Sequence, residues 1–201
     1  MKFRKYHEEA FTGLEAAIVL IAFVVVAAVF SYVVLGAGFF TTQKSQEVIH
    51  TGIQQASSTP QIVGNVYGQT ETGEPAPVIS WVIFSVALGP GGTPIDFDKV
   101  VITYSNATQV YTFDQGIRLD PQPGGGLCSI ASVQNEVGIP NDILEPGEQF
   151  QIICDVDKNG DYTYGIHAND AFDIEIKPAV GSALDIHRTA PASIHEVNIL
   201  Y

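Results

Sequence analysis

The chain changes character twice along its length. From Ala16 to Phe40 (AAIVLIAFVVVAAVFSYVVLGAGFF) no side chain carries a charge, and apolar residues fall on every side of a helical wheel instead of in one stripe. A helix that is apolar all round must be buried all round, by lipid or by other helices. At about 1.5 Å per residue, the run is longer than the roughly 30 Å hydrocarbon core of a bilayer. The pattern then turns polar with no stop signal. Thr41 to Ser57 (TTQKSQEVIHTGIQQAS) keeps sparse apolar residues at helical spacing: Val48, Ile49, Ile53 and Ala56. Gly52 weakens this half, and Pro60 ends it. The expectation is one long helix over residues 14–58.

Residues 59–77, with QIVGNVYGQTETGEPAP after Pro60, read as a linker. Beyond it, short strand candidates alternate with Gly/Pro turns. Val78 to Leu88 (VISWVIFSVAL) is a nearly unbroken apolar run ended by Gly89-Pro90-Gly91-Gly92, which predicts a strand buried on both faces. Lys99 to Tyr104 and Gln109 to Phe113 flank Ser105-Asn106-Ala107-Thr108 and predict a hairpin. Gln149 to Val156, Phe172 to Lys177 and Leu184 to Arg188 follow, several with period-two alternation. No internal repeat is visible. The fold class expected is α+β: a long N-terminal hydrophobic helix, then an antiparallel β-sandwich of immunoglobulin-like kind over residues 78–201.

Ahead of the helix stands a short leader, residues 1–13 (MKFRKYHEEAFTG), with Lys2, Arg4 and Lys5. Basic residues before the apolar run and none soon after put the leader in the cytoplasm and the rest outside. An ordinary secretory signal has a shorter apolar region closed by an A-x-A-like site, and neither feature is found here. Small residues (Ala16, Ala17, Ala22, Ala27, Ala28, Gly36, Ala37, Gly38) permit close approach of helices. Two readings stay open on these grounds: a single-pass anchor for an outer domain, or a helix that starts in lipid and later packs against copies of itself.

A charged leader ending in Gly13, followed at once by Leu14-Glu15 and the apolar helix, resembles a class III, type IV pilin-like signal. Within that group, GLEAAIVLIAFVVVAAVFSYVVLGAGFFTTQKSQEV is similar to the archaellins, the archaeal flagellins, particularly those of methanogens. The likeness returns at Leu144 to Ile152 (LEPGEQFQI) and at Leu184 to Ile194 (LDIHRTAPASI). The pattern departs from the family's relatives at two points. Phe11 and Thr12 stand where many prepilin leaders have basic residues. Glu15 would be the second mature residue, where bacterial pilins carry a glutamate at the fifth.

The resemblance implies a structural subunit of the archaellum filament, not an enzyme. Its precursor would sit in the cytoplasmic membrane with the leader inside. A prepilin-peptidase-like enzyme would cut between Gly13 and Leu14, removing one net positive charge. The mature chain would polymerise with itself through Ile18, Val25, Val29 and Val33 of the helix, outside the cell, assembled and turned by a membrane ATPase and motor. Alternatives are an adhesive type IV pilin-like subunit and a membrane-anchored extracellular β-sandwich binding domain.

Composition and candidate chemistry add limits. With 22 acidic against 9 basic residues, the formal net charge is −13. Such a chain repels phosphate backbones, so nucleic acid is not expected as a partner, and crowded copies would stay soluble. Asn106-Ala107-Thr108 is a glycosylation sequon on the expected hairpin, a site for a surface glycan. Cys128 and Cys154 lack zinc-site spacing; they could bridge the Gly-rich loop at Pro123–Gly126 to a core strand, or remain two buried thiols. Asp155, Asp157 and Asn159 begin like a calcium loop, but Ile166 stands where a bidentate Glu belongs. Asn159-Gly160 is also a hairpin-turn signal, so the turn is the stronger reading and a weak cation site the lesser one. His50, His167, His187 and His195 have no metal-binding spacing. Met1 is the sole methionine, which argues against a copper site, and no GxSxG or phosphate-loop motif is present. No cofactor is expected.

Overall fold

Helix α1 runs unbroken from Phe3 to Ser57 in the computed structural model, which describes residues 3–70, 78–113, 117–120, 127–157 and 165–201. The expected start at residue 14 is therefore corrected: the leader continues the same helix. No proline or turn cluster separates Phe3 from Leu14, and Gly13 alone does not stop a helix. At the other end, Ser58 donates from its amide (3.0 Å) and its hydroxyl (2.7 Å) to the carbonyl of Gln54, and its hydroxyl also meets that of Thr93. Thr41 and Thr42, where the polar half begins, return their hydroxyls to the carbonyls of Ala37 and Gly38 at 2.9 Å.

The chain divides into two compact units between Thr51 and Gly52. The first is helix alone. The second carries twelve strands among the described residues: β1 (Pro60–Ile62), β2 (Val66–Thr70), β3 (Ile79–Leu88), β4 (Ile95–Asp96), β5 (Val101–Asn106), β6 (Val110–Phe113), β7 (Cys128–Gln134), β8 (Ile143–Leu144), β9 (Gln149–Asp155), β10 (Ala171–Lys177), β11 (Leu184–Thr189) and β12 (Val197–Leu200). One antiparallel sheet has the order β12-β2-β3-β9-β7, with β1 also on β3; a second has the order β11-β10-β5-β6. A 3-10 turn at Phe97–Lys99 follows β4, which pairs with β8.

Alternation explains the sandwich. Val82, Phe84 and Val86 of β3, Phe150 and Ile152 of β9, Phe172, Ile174 and Ile176 of β10, and Ile102 and Tyr104 of β5 point inward and form one core. Phe97 packs its ring 5.3 Å from that of Phe150. Thr189 and Tyr201 exchange backbone hydrogen bonds (2.7 and 3.2 Å), which joins the end of β11, at the edge of the second sheet, to the residue after β12, at the edge of the first.

Three expectations are corrected. Residues 59–77 are not all linker: β1 pairs with the end of β3, and β2 lies between β3 and β12, with Val66 buried. The part at 71–77 lies outside the described residues. Strand β3 is not buried on both faces, since Trp81, Ile83, Ser85 and Ala87 are only half-buried. Cys128 is not in the Gly-rich loop but opens β7.

Candidate functional site

Every residue of α1 from Gly13 to Ala56 is exposed in the single chain. That is unusual for so apolar a sequence, because apolar area left in water is unfavourable. Val25, Val29 and Val33 stand at spacings of four and share one helix face, which Ile18 joins one heptad earlier. Their exposures run from 55% at Val25 to 66% at Ile18. By length and composition the helix can cross a membrane. Gly13 and Leu14 lie inside it, both exposed.

Asn106 ends β5, opposite Phe172 of β10. Its Oδ1 accepts the amides of Thr108 and Gln109 at 2.9 Å and the Thr108 hydroxyl at 3.0 Å, closing the turn into β6. Its Nδ2, the atom that a glycan would join, donates to the Tyr104 hydroxyl at 3.3 Å. Burial pushes Tyr104 up to about 12, and it raises Tyr111 as well. The Tyr111 hydroxyl donates to the carbonyl of Val156 at 2.8 Å.

Cys128 and Cys154 face each other directly across β7 and β9, both buried, and the structure joins their sulfurs. Asp155 and Asp157 are both buried, with the Asp157 amide donating to Asp155 Oδ1 at 3.0 Å. Asn159 and the Asn159-Gly160 turn lie outside the described residues. Among the described residues, no three His, Cys, Asp or Glu side chains gather as a metal site would require. The helix face belongs to the first unit, and within the second the β5–β6 turn and the β7–β9 pair stand on different sheets.

One residue escaped the sequence reading. Glu148 is buried beside Gly147, which turns at φ 100°. Glu148 Oε1 accepts the Val137 amide at 2.7 Å, and Oε2 accepts the Glu145 amide at 3.0 Å. The available signal was a Pro-Gly turn followed by an acid at the head of an alternating strand.

Comparison with known proteins agrees with this architecture. The family model for archaeal-type flagellin matches residues 10–188. The chain is 42% identical over 205 residues to "Probable flagellin 1" of Archaeoglobus fulgidus, covering all of this chain and 98% of that one. Its structure is similar to that of the archaeal flagellum of Methanospirillum hungatei strain JF1, with TM-score 0.65 and 34% identity over 94% of this chain and 99% of the other. The flagellin FlaB1 of Methanocaldococcus jannaschii shares the fold, with TM-score 0.57 at 14% identity, covering 70% of this chain and 95% of that one. With its long helix, its antiparallel sheets and a full-length relative all in agreement, the chain belongs to the archaeal-type flagellin family.

Proposed function

We propose that α1 is the part through which this archaellum filament subunit polymerises for swimming. The observation that supports it is the helix surface: apolar all round from Ala16 to Phe40, with every side chain there uncovered by its own chain. A surface of that kind is stable only in lipid first and among other helices afterwards. The precursor is held in the cytoplasmic membrane with its leader inside. A prepilin-peptidase-like enzyme cuts between Gly13 and Leu14, and a membrane ATPase and motor assemble and turn the product. Asn106 carries a glycan, and Cys128 and Cys154 are oxidised outside the cell. Family and fold are those of structural filament subunits, so no catalysis is assigned.

The test is mass spectrometry of subunits from purified surface filaments. The expected result is an N-terminus at Leu14, a mass excess on the peptide that contains Asn106, and no free thiol. A subunit that retains Met1 would overturn the processing reading. Loss of surface filaments on deleting residues 14–58 is expected, and filaments built from the truncated chain would overturn the role of α1.

A further inference from the structure

The two sheets turn different outer faces to their surroundings. On the sheet β11-β10-β5-β6, Asp173, Glu175, Lys177, Asp185 and His187 all stand on the side away from the core. His187 and Asp173 are paired across β10 and β11. That face is charged and suits water.

The outer face of the sheet β12-β2-β3-β9-β7 is of another kind. Ile199, Tyr67, Ile83 and Ile153 stand in register on four neighbouring strands, so they make one apolar row across the sheet. Ile199 is 44% exposed and Tyr67 37%, with Val197 at 60% beside them. The only ionisable carboxylate or cation on any strand of this sheet is Asp155, which is buried at the end of β9. In a chain of net charge −13, the six strands of this sheet thus carry no exposed charge of their own.

We infer that this uncharged face docks a second copy of the chain in the filament. The inference rests on the filament reading and adds a surface to it. Polymerisation brings like-charged copies together, and repulsion is least where neither charge nor its desolvation enters. Burying the apolar row is favourable in proportion to the area removed from water. A helical polymer repeats one contact between unlike surfaces, so this face need not meet its own equivalent.

The test uses the protection of an introduced thiol. The chain has two cysteines and both are bonded to each other, so a new cysteine is the one reactive thiol. Tyr67→Cys and Ile199→Cys are compared with Val101→Cys, an exposed apolar position on the outer face of the charged sheet. Each is expressed as the full chain together with the unchanged subunit, which keeps filaments forming. Labelling by a membrane-impermeant maleimide is timed on intact filaments and on detergent-dissociated subunits. The expected result is labelling at residues 67 and 199 that is roughly tenfold or more slower in filaments, as a packed protein interface requires, with little change at residue 101. Exclusion of the two variants from filaments, while processed and protease-resistant subunit collects in the membrane, also supports the inference. Equal rates in filaments and dissociated subunits at both positions overturn it. Absence of this chain from any filament would instead defeat the underlying filament reading.

Discussion

Glu148 accepts the backbone amide of Val137 at 2.7 Å, and so ties the chain leaving β7 to the start of β9. Its second oxygen holds the amide of Glu145, so both lone carboxylate oxygens are spent on the loop between the two strands. Hydrogen bonds from amides to a charged acceptor are each worth about 1.5–3 kcal/mol. Glu148→Ala should therefore destabilise the unit beginning at Gly52 by about 2–4 kcal/mol in urea denaturation. Exposed Glu136→Gln should change it by less than about 0.5 kcal/mol. Equal effects would mean that the clamp contributes nothing.

The pairing of Cys128 with Cys154 closes a loop of sequence separation 26. In the chain-entropy model, a loop of that size stabilises the fold by about 3.5 kcal/mol. The double substitution Cys128→Ser, Cys154→Ser should lower the melting temperature, and added reductant should lower it for the unchanged protein but not for the double variant. If reductant has the same effect on both, the cysteines are not bonded in the native protein.

What could be read along the chain, and what could not, follows from how far each signal reaches. α1 was legible because an uncharged run of such length has no other soluble or membrane reading, and Pro60 supplies its end. Its start at Phe3 was not, because nothing between Lys2 and Gly13 forbids a helix and no residue there marks a start. The β5–β6 hairpin was legible from its turn, Ser105 to Thr108. β2 was missed because Val-Tyr-Gly-Gln-Thr is short and half polar. Only its position between β3 and β12 makes it a strand, and Gly68 is required there because a Cβ would come within 2.8 Å of the Ile79 side chain. Glu148 was illegible for a related reason, since its partners are backbone amides that local sequence does not mark. The uncharged sheet face needed the register of four strands before Ile199, Tyr67, Ile83 and Ile153 could be seen as one row.

Burial raises the Tyr104 hydroxyl from 10.0 to about 12, and it shifts Tyr111 in the same direction. A group whose folded value exceeds its unfolded value favours the folded state while it stays protonated. That contribution is complete below about pH 10, the range in which an unfolded tyrosine is neutral. It is lost as pH rises from there towards 12 in the folded chain. Stability of the unit from Gly52 onward should fall across that window by about 2–3 kcal/mol from Tyr104 alone. Tyr104→Phe should flatten the fall by that amount when unfolding free energy is followed from pH 9 to 12. An unchanged slope would show that this hydroxyl ionises in the folded state as it does in water.

Val25 lies in the middle of the apolar run and is 55% exposed in the single chain, so a substitution there removes no contact that its own fold requires. Replacing it with Asp costs the isolated helix only a few tenths of a kcal/mol in propensity. The larger penalty arises only when the segment is covered. On insertion scales, a helix-centre carboxylate costs about 2.5–3.5 kcal/mol in a membrane. Among packed helices it must be buried unpaired or take up a proton, and a filament repeats that cost once per subunit. Val25→Asp should therefore abolish filaments and reduce the precursor in the membrane fraction. Val101→Asp places the same charge on the outward side of the sheet β11-β10-β5-β6 and should leave both intact. Electron microscopy of cells expressing each variant, with blots of membrane fractions for the processed subunit, separates the two steps. Processed subunit without filaments puts the burial between copies, and loss of both puts it in the membrane. Normal filaments from Val25→Asp would show that this stretch of α1 is not covered by its neighbours, and the single-pass anchor would then be the better account of the helix.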